Sequence, residues 1–311
     1  MSRVQGFLAT ALLTVVAYGL ANAEPAGNGS MVCPAMTDTN PTAPPQLWGF
    51  NPDGSGKRQL TSAGANATPS FSPDGKRLYF FSNRTGNNQI WVMGPDGSHQ
   101  RQLTFGSDGD ALTPQESPDG TKLAFASSQG GLGHPEIFIM NSDGTGLKQL
   151  TQTPVAPQGQ SYTWSLHPSW SPDGQKITYA STKSGSTQVW VMDADGSNRV
   201  QLTSGLGENF PDANVPSYSP DGRQIVFWSG FEKNYGDIWV MNADGSSPRK
   251  LTTTPAPRSA DNPVWSPDGT KVIFDSNRDG ALGIWMVDVS GSEPILVAHG
   301  FGTVCAWQPV L

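Results

Sequence analysis

A Ser-Pro-Asp-Gly element recurs along this chain and constrains its fold more than any other feature. It starts at five serines, namely Ser72, Ser117, Ser171, Ser219 and Ser266. Each element is followed by a short β-rich run, a second apolar strand centred on an aromatic residue, a turn and a closing strand. Units of about 40 to 55 residues with four short strands are typical of propeller blades, because neighbouring blades cover the faces that one small sheet leaves bare.

The two ends of the chain carry the missing parts of one more unit. Residues 46–61 match the last two strands of a blade, and residues 304–309 match the first strand. We place the remaining strand at residues 31–35. The sequence therefore predicts an all-β fold, a six-bladed β-propeller closed by a composite blade from both chain ends, which also removes two exposed sheet edges.

The N-terminus has the pattern of an export signal. Arg3 precedes an apolar run over residues 7–17, and Ala21-Asn22-Ala23 forms a small-x-small cleavage pattern. We expect residues 1–23 to be a signal peptide, 24–45 an N-terminal segment with a possible strand of the closing blade, and 46–311 the propeller. Since no later stretch approaches the ~20 apolar residues of a membrane helix, we expect a periplasmic or secreted protein without a membrane span.

The net charge of the chain argues against one class of partner. Without Arg3 the chain has 18 basic and 26 acidic residues, so its net charge is 18 − 26 = −8, which is the wrong sign for a nucleic-acid binder.

Two cysteines in an exported protein predict one disulfide, between Cys33 and Cys305 of the composite blade. The alternative is a pair of free buried thiols.

Spacing within the units indicates which face of the ring binds a ligand. The distance from the aromatic residue of the third strand to the closing leucine is 12 residues in five units, from Trp48–Leu60 to Trp239–Leu251. The distance from that leucine to the next Ser-Pro-Asp-Gly element varies from 12 to 21 residues. The spacing between the second and third strands also shifts slightly. Because the strands are antiparallel, these two variable connections lie on one face. We expect ligand binding on this variable-loop face and at the mouth of its channel.

The polar and aromatic residues of the variable loops are the candidate ligand-binding residues. They are Asp110, Tyr162, Trp164, His167, Asp212, Asn214, Arg258, Asp261 and Asn262. The alternative is structural, because loop aromatics can pack on the blade below them and polar side chains can cap turns.

Two further features leave alternatives open. Glu116 occupies a position that is aromatic in the other blades, so it is a buried hydrogen-bonded group, lines a water-filled gap or belongs to a site.

Three histidines fall on the variable-loop face, and a metal site of His134, His167 and His299 is a minor alternative to our expectation of no metal and no cofactor. No signature of a serine hydrolase, a zinc protease or a phosphate-binding loop is present.

The repeated Trp-Ser-Pro-Asp-Gly, Ile-Trp-Val-Met and Asp-Gly…Leu-Thr strings resemble the propeller of the TolB family, a periplasmic part of the Tol–Pal envelope system. The resemblance covers residue 46 to the end and lacks the α/β domain that precedes the TolB propeller. It implies a periplasmic or secreted scaffold that binds a protein or an envelope component. We expect a monomeric, non-enzymatic module whose ligand is a protein or a cell-envelope or polysaccharide component. The same repeat occurs in oligogalacturonate lyases, so the alternative is a carbohydrate-active enzyme, with or without a metal.

Overall fold

The computed structural model describes residues 27–35, 43–153, 164–203, 212–232, 235–302 and 304–310. Its 24 strands form six four-stranded antiparallel sheets, which are the blades of one closed ring. We label the strands of each blade A to D in the order in which they pair. No helix in the described ranges is long and apolar enough to cross a membrane.

Blades 1 to 5 follow one another along the chain. Blade 1 consists of β4 (Asn66–Phe71), β5 (Leu78–Ser82), β6 (Gln89–Met93) and β7 (Arg101–Gln102). Blade 2 consists of β8 (Ala111–Glu116), β9 (Lys122–Ser127), β10 (Glu136–Asn141) and β11 (Lys148–Gln149). Blade 3 consists of β12 (Ser165–Trp170), β13 (Lys176–Ser181), β14 (Gln188–Asp193) and β15 (Val200–Gln201).

Blade 4 consists of β16 (Asp212–Tyr218), β17 (Gln224–Glu232), β18 (Tyr235–Asn242) and β19 (Arg249–Lys250). Blade 5 consists of β20 (Ala260–Trp265), β21 (Lys271–Ser276), β22 (Gly283–Asp288) and β23 (Ile295–His299). The composite blade consists of β24 (Ala306–Val310), β1 (Gly27–Ala35), β2 (Gln46–Phe50) and β3 (Arg58–Gln59).

The composite blade closes the ring as the sequence predicted. β1 lies between β24 and β2, with Met31 opposite Trp307 and Cys33 opposite Trp48. β24 also contacts strand A of blade 1 and strand A of blade 5. The predicted disulfide is present between Cys33 and Cys305, whose Cα atoms are 4.4 Å apart. It therefore joins β1 to the residue that directly precedes β24, and these two segments come from opposite ends of the chain.

The Ser-Pro-Asp-Gly element recurs because it builds the A–B turn. In blade 1 the Ser72 hydroxyl donates a 2.6 Å hydrogen bond to Asp74 and accepts one from the backbone N–H of Arg77. The hydrogen bond from Ser72 is the main reason that the pKa of Asp74 lies below its usual value. The other four elements repeat the serine–aspartate bond, so the motif is a turn of fixed geometry.

The closing Leu-Thr pair fixes strand D against strand C. In blade 1 the Thr104 hydroxyl accepts a hydrogen bond from the backbone N–H of Ile90, and the N–H of Leu103 donates to the Ile90 carbonyl. The threonine contact recurs at Thr61, Thr151, Thr203 and Thr252. Blade 5 has Val297-Ala298 at this position and lacks the hydroxyl.

The apolar core lies between blades. Leu47 and Leu60 of the composite blade pack with Leu78 and Phe80 of blade 1, and similar clusters join the other neighbours. Neighbouring blades also approach each other closely at the C–D turns. A Cβ added to Gly97, which has a φ of +88°, would lie 2.9 Å from the Leu60 carbonyl oxygen of the neighbouring blade.

Candidate ligand-binding site

One residue in each strand A region adopts a left-handed backbone conformation, and these six residues form a ring around the channel. Their φ angles range from 37° to 54°, and the residues are Thr68, Thr113, His167, Val215, Asn262 and Val304. In blades 1 to 5 the position falls where the A–B pairing changes register. A positive φ is costly for β-branched residues such as threonine and valine. The surrounding fold therefore imposes this conformation in every blade.

A central cavity of about 520 Å³ extends from this ring towards the A–B turns. Strand A of every blade contributes to its wall, mainly through serine, proline and aromatic residues. The aromatic residues are Phe71, Trp170, Tyr218, Trp265 and Trp307. Two of the indoles are fixed by hydrogen bonds to the preceding blade, from Trp170 to the Gln115 carbonyl and from Trp265 to the Ser217 carbonyl. These two hydrogen bonds fix the orientation of the Trp170 and Trp265 indoles.

Glu116 replaces the aromatic residue in blade 2 and is a buried hydrogen-bonded group. Its side chain is fully buried and accepts a 2.6 Å hydrogen bond from the Tyr79 hydroxyl and a 3.1 Å bond from Arg77, both on blade 1. Burial raises the pKa of Glu116, while the contacts with Tyr79 and Arg77 oppose that shift. The sequence left three interpretations of Glu116 open, and these contacts agree with the first, a buried hydrogen-bonded group.

The other polar groups of the cavity wall are uncharged. Burial lowers the pKa of His167 to about 4, so its imidazole is neutral at pH 7. The hydroxyls of Thr68 and Thr113 are buried and have no hydrogen-bond partner within the described part of the chain. Because both oxygen atoms are fully buried, they are unsatisfied polar groups within the wall and do not face the open cavity.

Two of the predicted loop carboxylates connect neighbouring blades. Asp110 of the loop before blade 2 accepts a 2.9 Å hydrogen bond from the backbone N–H of Asn88 in blade 1. Asp212 of blade 4 accepts a 3.0 Å bond from the N–H of Thr187 in blade 3. Each carboxylate thus fixes the B–C loop of the preceding blade, which is the turn-capping role that the sequence left as an alternative.

The remaining described candidates lie in strand A of their blades or in the loop that precedes it. Asp261 accepts a 2.8 Å hydrogen bond from the Ser259 hydroxyl, and burial raises its pKa. Arg258 donates to the Arg278 carbonyl, and Asn214 accepts a bond from the N–H of Val215. Trp164 is partly exposed, and its backbone N–H donates to Thr182. Tyr162 lies outside the described residues.

Among the described candidates only His167 lines the central cavity. The spacing of the loops directed attention to one face, whereas the cavity extends towards the other. Its threonines were not among the predicted residues. A signal for them does exist in the sequence, because five units carry an X-Pro pair three residues before the aromatic position, as in Thr68-Pro69 and Thr113-Pro114.

The three histidines considered as metal ligands have separate surroundings. His134 Nε2 lies 3.2 Å from Glu136, His299 Nε2 lies 3.2 Å from Asp279, and His167 lies in the cavity wall. Within the described ranges no group of three or more histidine, cysteine, aspartate or glutamate side chains is arranged to hold a metal ion.

The described geometry agrees with comparisons to known proteins. The model of the TolB beta propeller domain family matches residues 107–214 and 160–303. The chain is 29% identical over 162 residues to the Tol-Pal system protein TolB of Francisella tularensis, covering 51% of this chain and 34% of that protein. It is 30% identical over 141 residues to an uncharacterized protein of Agrobacterium fabrum, covering 43% of this chain and 46% of that one. These alignments thus span between a third and a half of each relative.

A solved structure supports the same architecture. The crystal structure of TolB from Acinetobacter baumannii superposes with a TM-score of 0.74 at 20% identity. The superposition covers 90% of this chain and 67% of the TolB chain. At this level of identity the likeness concerns the fold alone.

Proposed function

Because this chain belongs to the TolB β-propeller family, we propose that it is an exported, non-enzymatic binding module that holds a protein or a cell-envelope or polysaccharide ligand. The central cavity is the observation that carries this proposal. It is surrounded by all six blades and has a wall rich in aromatic and proline residues. Such a wall suits a neutral ligand segment that fills the channel.

The chemistry of the wall favours binding over catalysis. Glu116 is held by Tyr79 and Arg77, and His167 is neutral and has burial as the only cause of its shifted pKa. Cys305 is joined to Cys33. The wall serines that contact a carboxylate, such as Ser72 with Asp74, do so within an A–B turn whose aspartate has a lowered pKa and is therefore a weak base. The alternative of a carbohydrate-active enzyme has no specific support among the described residues.

The ligand would contact two regions of the channel. A segment of the partner inserts into the cavity and packs against its aromatic and proline residues. A second contact, at Trp164, Asp261 and the variable loops, would hold the partner at the opposite mouth. A partner protein is the first candidate, because serine, threonine and proline surfaces match the neutral polarity of a polypeptide.

A cavity-filling substitution tests the proposal. Ser70 lines the cavity, whereas Ser62 is exposed at the start of a variable loop. The immobilised full chain, Ser70→Trp and Ser62→Trp would be incubated with a solubilised envelope extract, after thermal unfolding has established that both variants are folded. We expect a ligand retained by the wild type and by Ser62→Trp to be lost with Ser70→Trp. Equal retention by Ser70→Trp, or no specific ligand at all, would contradict the proposal.

A further inference from the structure

The most exposed large apolar side chain in the described part of the chain is Phe105, which is 80% exposed. It directly follows the closing Leu-Thr pair of blade 1. The other five blades have a polar residue at the corresponding position, and these residues are Ser62, Gln152, Ser204, Thr253 and His299. The repeat therefore does not require an aromatic residue here, and the fold of blade 1 does not bury the ring.

Side-chain amides hold the backbone on both sides of Phe105. The Gln102 amide donates a 2.7 Å hydrogen bond to the carbonyl of the residue before Phe105, and the Gln89 amide donates a 2.9 Å bond to the carbonyl of the residue after it. The Asn87 amide donates a 2.9 Å bond to the carbonyl one residue further on. The exposed ring is therefore carried by a loop that hydrogen bonds hold in place.

An open groove of about 460 Å³ lies beside the ring, between the B–C and D–A loops of blade 1 on the variable-loop face. Binding sites for small molecules have volumes of roughly 300–1,000 Å³. Phe105 is the one apolar side chain among the described residues that line the groove, and the others are threonine, serine, asparagine, glutamine and glycine. This wall of described residues thus carries no charged side chain.

Several polar atoms of the groove are available to a ligand. Asn87 and Gln102 use their amide N–H groups to hold the loop, and their amide oxygens accept no hydrogen bond from the described residues. Thr85 and Ser107 add two exposed hydroxyls. The groove therefore combines one apolar surface with uncharged hydrogen-bonding groups.

This combination matches a sugar ring better than it matches other classes of ligand. A pyranose has a flat side of C–H groups, which the electronegative face of an aromatic ring attracts, and an edge of hydroxyls, which bond to amide groups. Membrane-binding surfaces combine apolar residues with lysine or arginine, and neither is among the described residues of the groove. Protein interfaces have an apolar core of several residues, whereas this groove has one.

We propose that the groove binds a hexose unit of a neutral polysaccharide, with the pyranose stacked on Phe105 and its hydroxyls bonded to Asn87 and Gln102. None of the described residues of the groove lines the central cavity. The groove is therefore a second site, separate from the ligand binding proposed for the cavity. Because an open groove contacts one side of the sugar, we expect a dissociation constant on the order of 1 mM for a short oligosaccharide.

Saturation-transfer NMR of the full chain detects binding of this strength. The probes are the neutral hexasaccharides cellohexaose, mannohexaose and maltohexaose, with hexagalacturonate as the charged counterpart. We expect transfer to at least one neutral probe and less transfer to hexagalacturonate, because the described groove residues offer its carboxylates no basic partner and the chain has a net negative charge. No transfer to any neutral probe, or greater transfer to hexagalacturonate than to all of them, would overturn the proposal.

Three variants test the role of the ring, after thermal unfolding has shown that each is folded. Phe105→Ser introduces the residue type that the composite blade has at this position, and it should weaken binding of the neutral probe at least tenfold. Phe105→Trp keeps an aromatic ring and should retain binding. Leu147→Ser is the matched control, because Leu147 is 54% exposed but lies in the C–D turn of blade 2. Undiminished binding by Phe105→Ser, or an equal loss with Leu147→Ser, would overturn the proposal.

Ser70→Trp separates the groove from the central cavity. This variant fills the cavity and leaves the groove residues unchanged, so it should bind the neutral probe as the wild type does. Loss of probe binding with Ser70→Trp would place the sugar in the cavity and overturn the groove site. Because retention of a ligand from envelope extract tests the cavity, the two proposals can fail independently.

Discussion

The hydroxyl of Tyr79 on blade 1 donates a 2.6 Å hydrogen bond to the carboxylate of Glu116 on blade 2. This bond replaces the aromatic packing that the other blades use at the same boundary. Tyr79→Phe should lower the free energy of unfolding by about 1–3 kcal/mol, because it removes a hydrogen bond from a buried carboxylate. Urea denaturation at pH 7 measures the difference. An unchanged midpoint would show that the bond contributes nothing to the stability of this boundary.

The pKa of His167 predicts a pH dependence of stability. Its pKa is about 4 in the folded protein and 6.5 ordinarily, so the unfolded chain takes up a proton at a higher pH than the folded protein does. Stability is therefore lost as the pH falls from about 6.5 to about 4. Asparagine is tolerated with a positive φ at Asn262, the equivalent position of blade 5. In denaturation curves across this range, His167→Asn should lose less stability than the wild type, and parallel losses would contradict the shift.

The aspartates of the A–B turns should act at lower pH. Hydrogen bonds from Ser117 and Thr121 lower the pKa of Asp119 from 3.8. Its contribution to stability is therefore present above pH 3.8 and is lost as the pH falls through the lowered pKa. Asp119→Asn should destabilise the protein at pH 7, and the difference should vanish in strong acid. Glu293→Gln, at an exposed acid, serves as the control, and a difference for Asp119→Asn that is independent of pH would refute the assignment.

The disulfide should stabilise the closed ring. Cys33 and Cys305 are 272 residues apart, and the chain-entropy estimate for a loop of this size is on the order of 5 kcal/mol as an upper limit. Cys33→Ala/Cys305→Ala should therefore unfold at a much lower urea concentration than the wild type. Alkylation without reductant should leave the wild-type mass unchanged. Labelled thiols in the untreated wild type would show that the bond is absent.

The signal peptide stays a prediction, since residues 1–23 lie outside the described residues. Expression of the full chain in a bacterial host should yield a processed protein that begins near Glu24. Intact-mass analysis of the periplasmic fraction, or of the medium, measures the cleavage site. A full-length chain retained in the cytoplasm would contradict export.

The ring could be predicted from the repeat because each repeated residue type has one structural role. Ser72 and Asp74 build a turn, Thr104 fixes strand D, and the chain ends supply the strands that a sixth blade lacks. Even strand β1, with little sequence signal, could be placed, because a blade made of β24, β2 and β3 requires one more strand between them.

The cavity was harder to predict than the ring. The length of the variable loops indicated where insertions are tolerated, but the polar residues there include Asp110 and Asp212, which hold neighbouring loops. The cavity wall depends on backbone conformation at positions such as Thr113, where the A–B register changes. An X-Pro pair such as Thr113-Pro114 marks the position in the sequence, but a residue before proline does not by itself predict a positive φ.

Site-specific photo-cross-linking tests ligand binding in the cavity most directly. A photoreactive phenylalanine analogue would replace Ser70, which lines the cavity, or Val200, which lies on the outer rim. The proteins would then be irradiated in envelope extract. We predict a discrete cross-linked product from position 70 and none from position 200. The same products from both positions, or a product from position 200 alone, would contradict a ligand held in the central cavity.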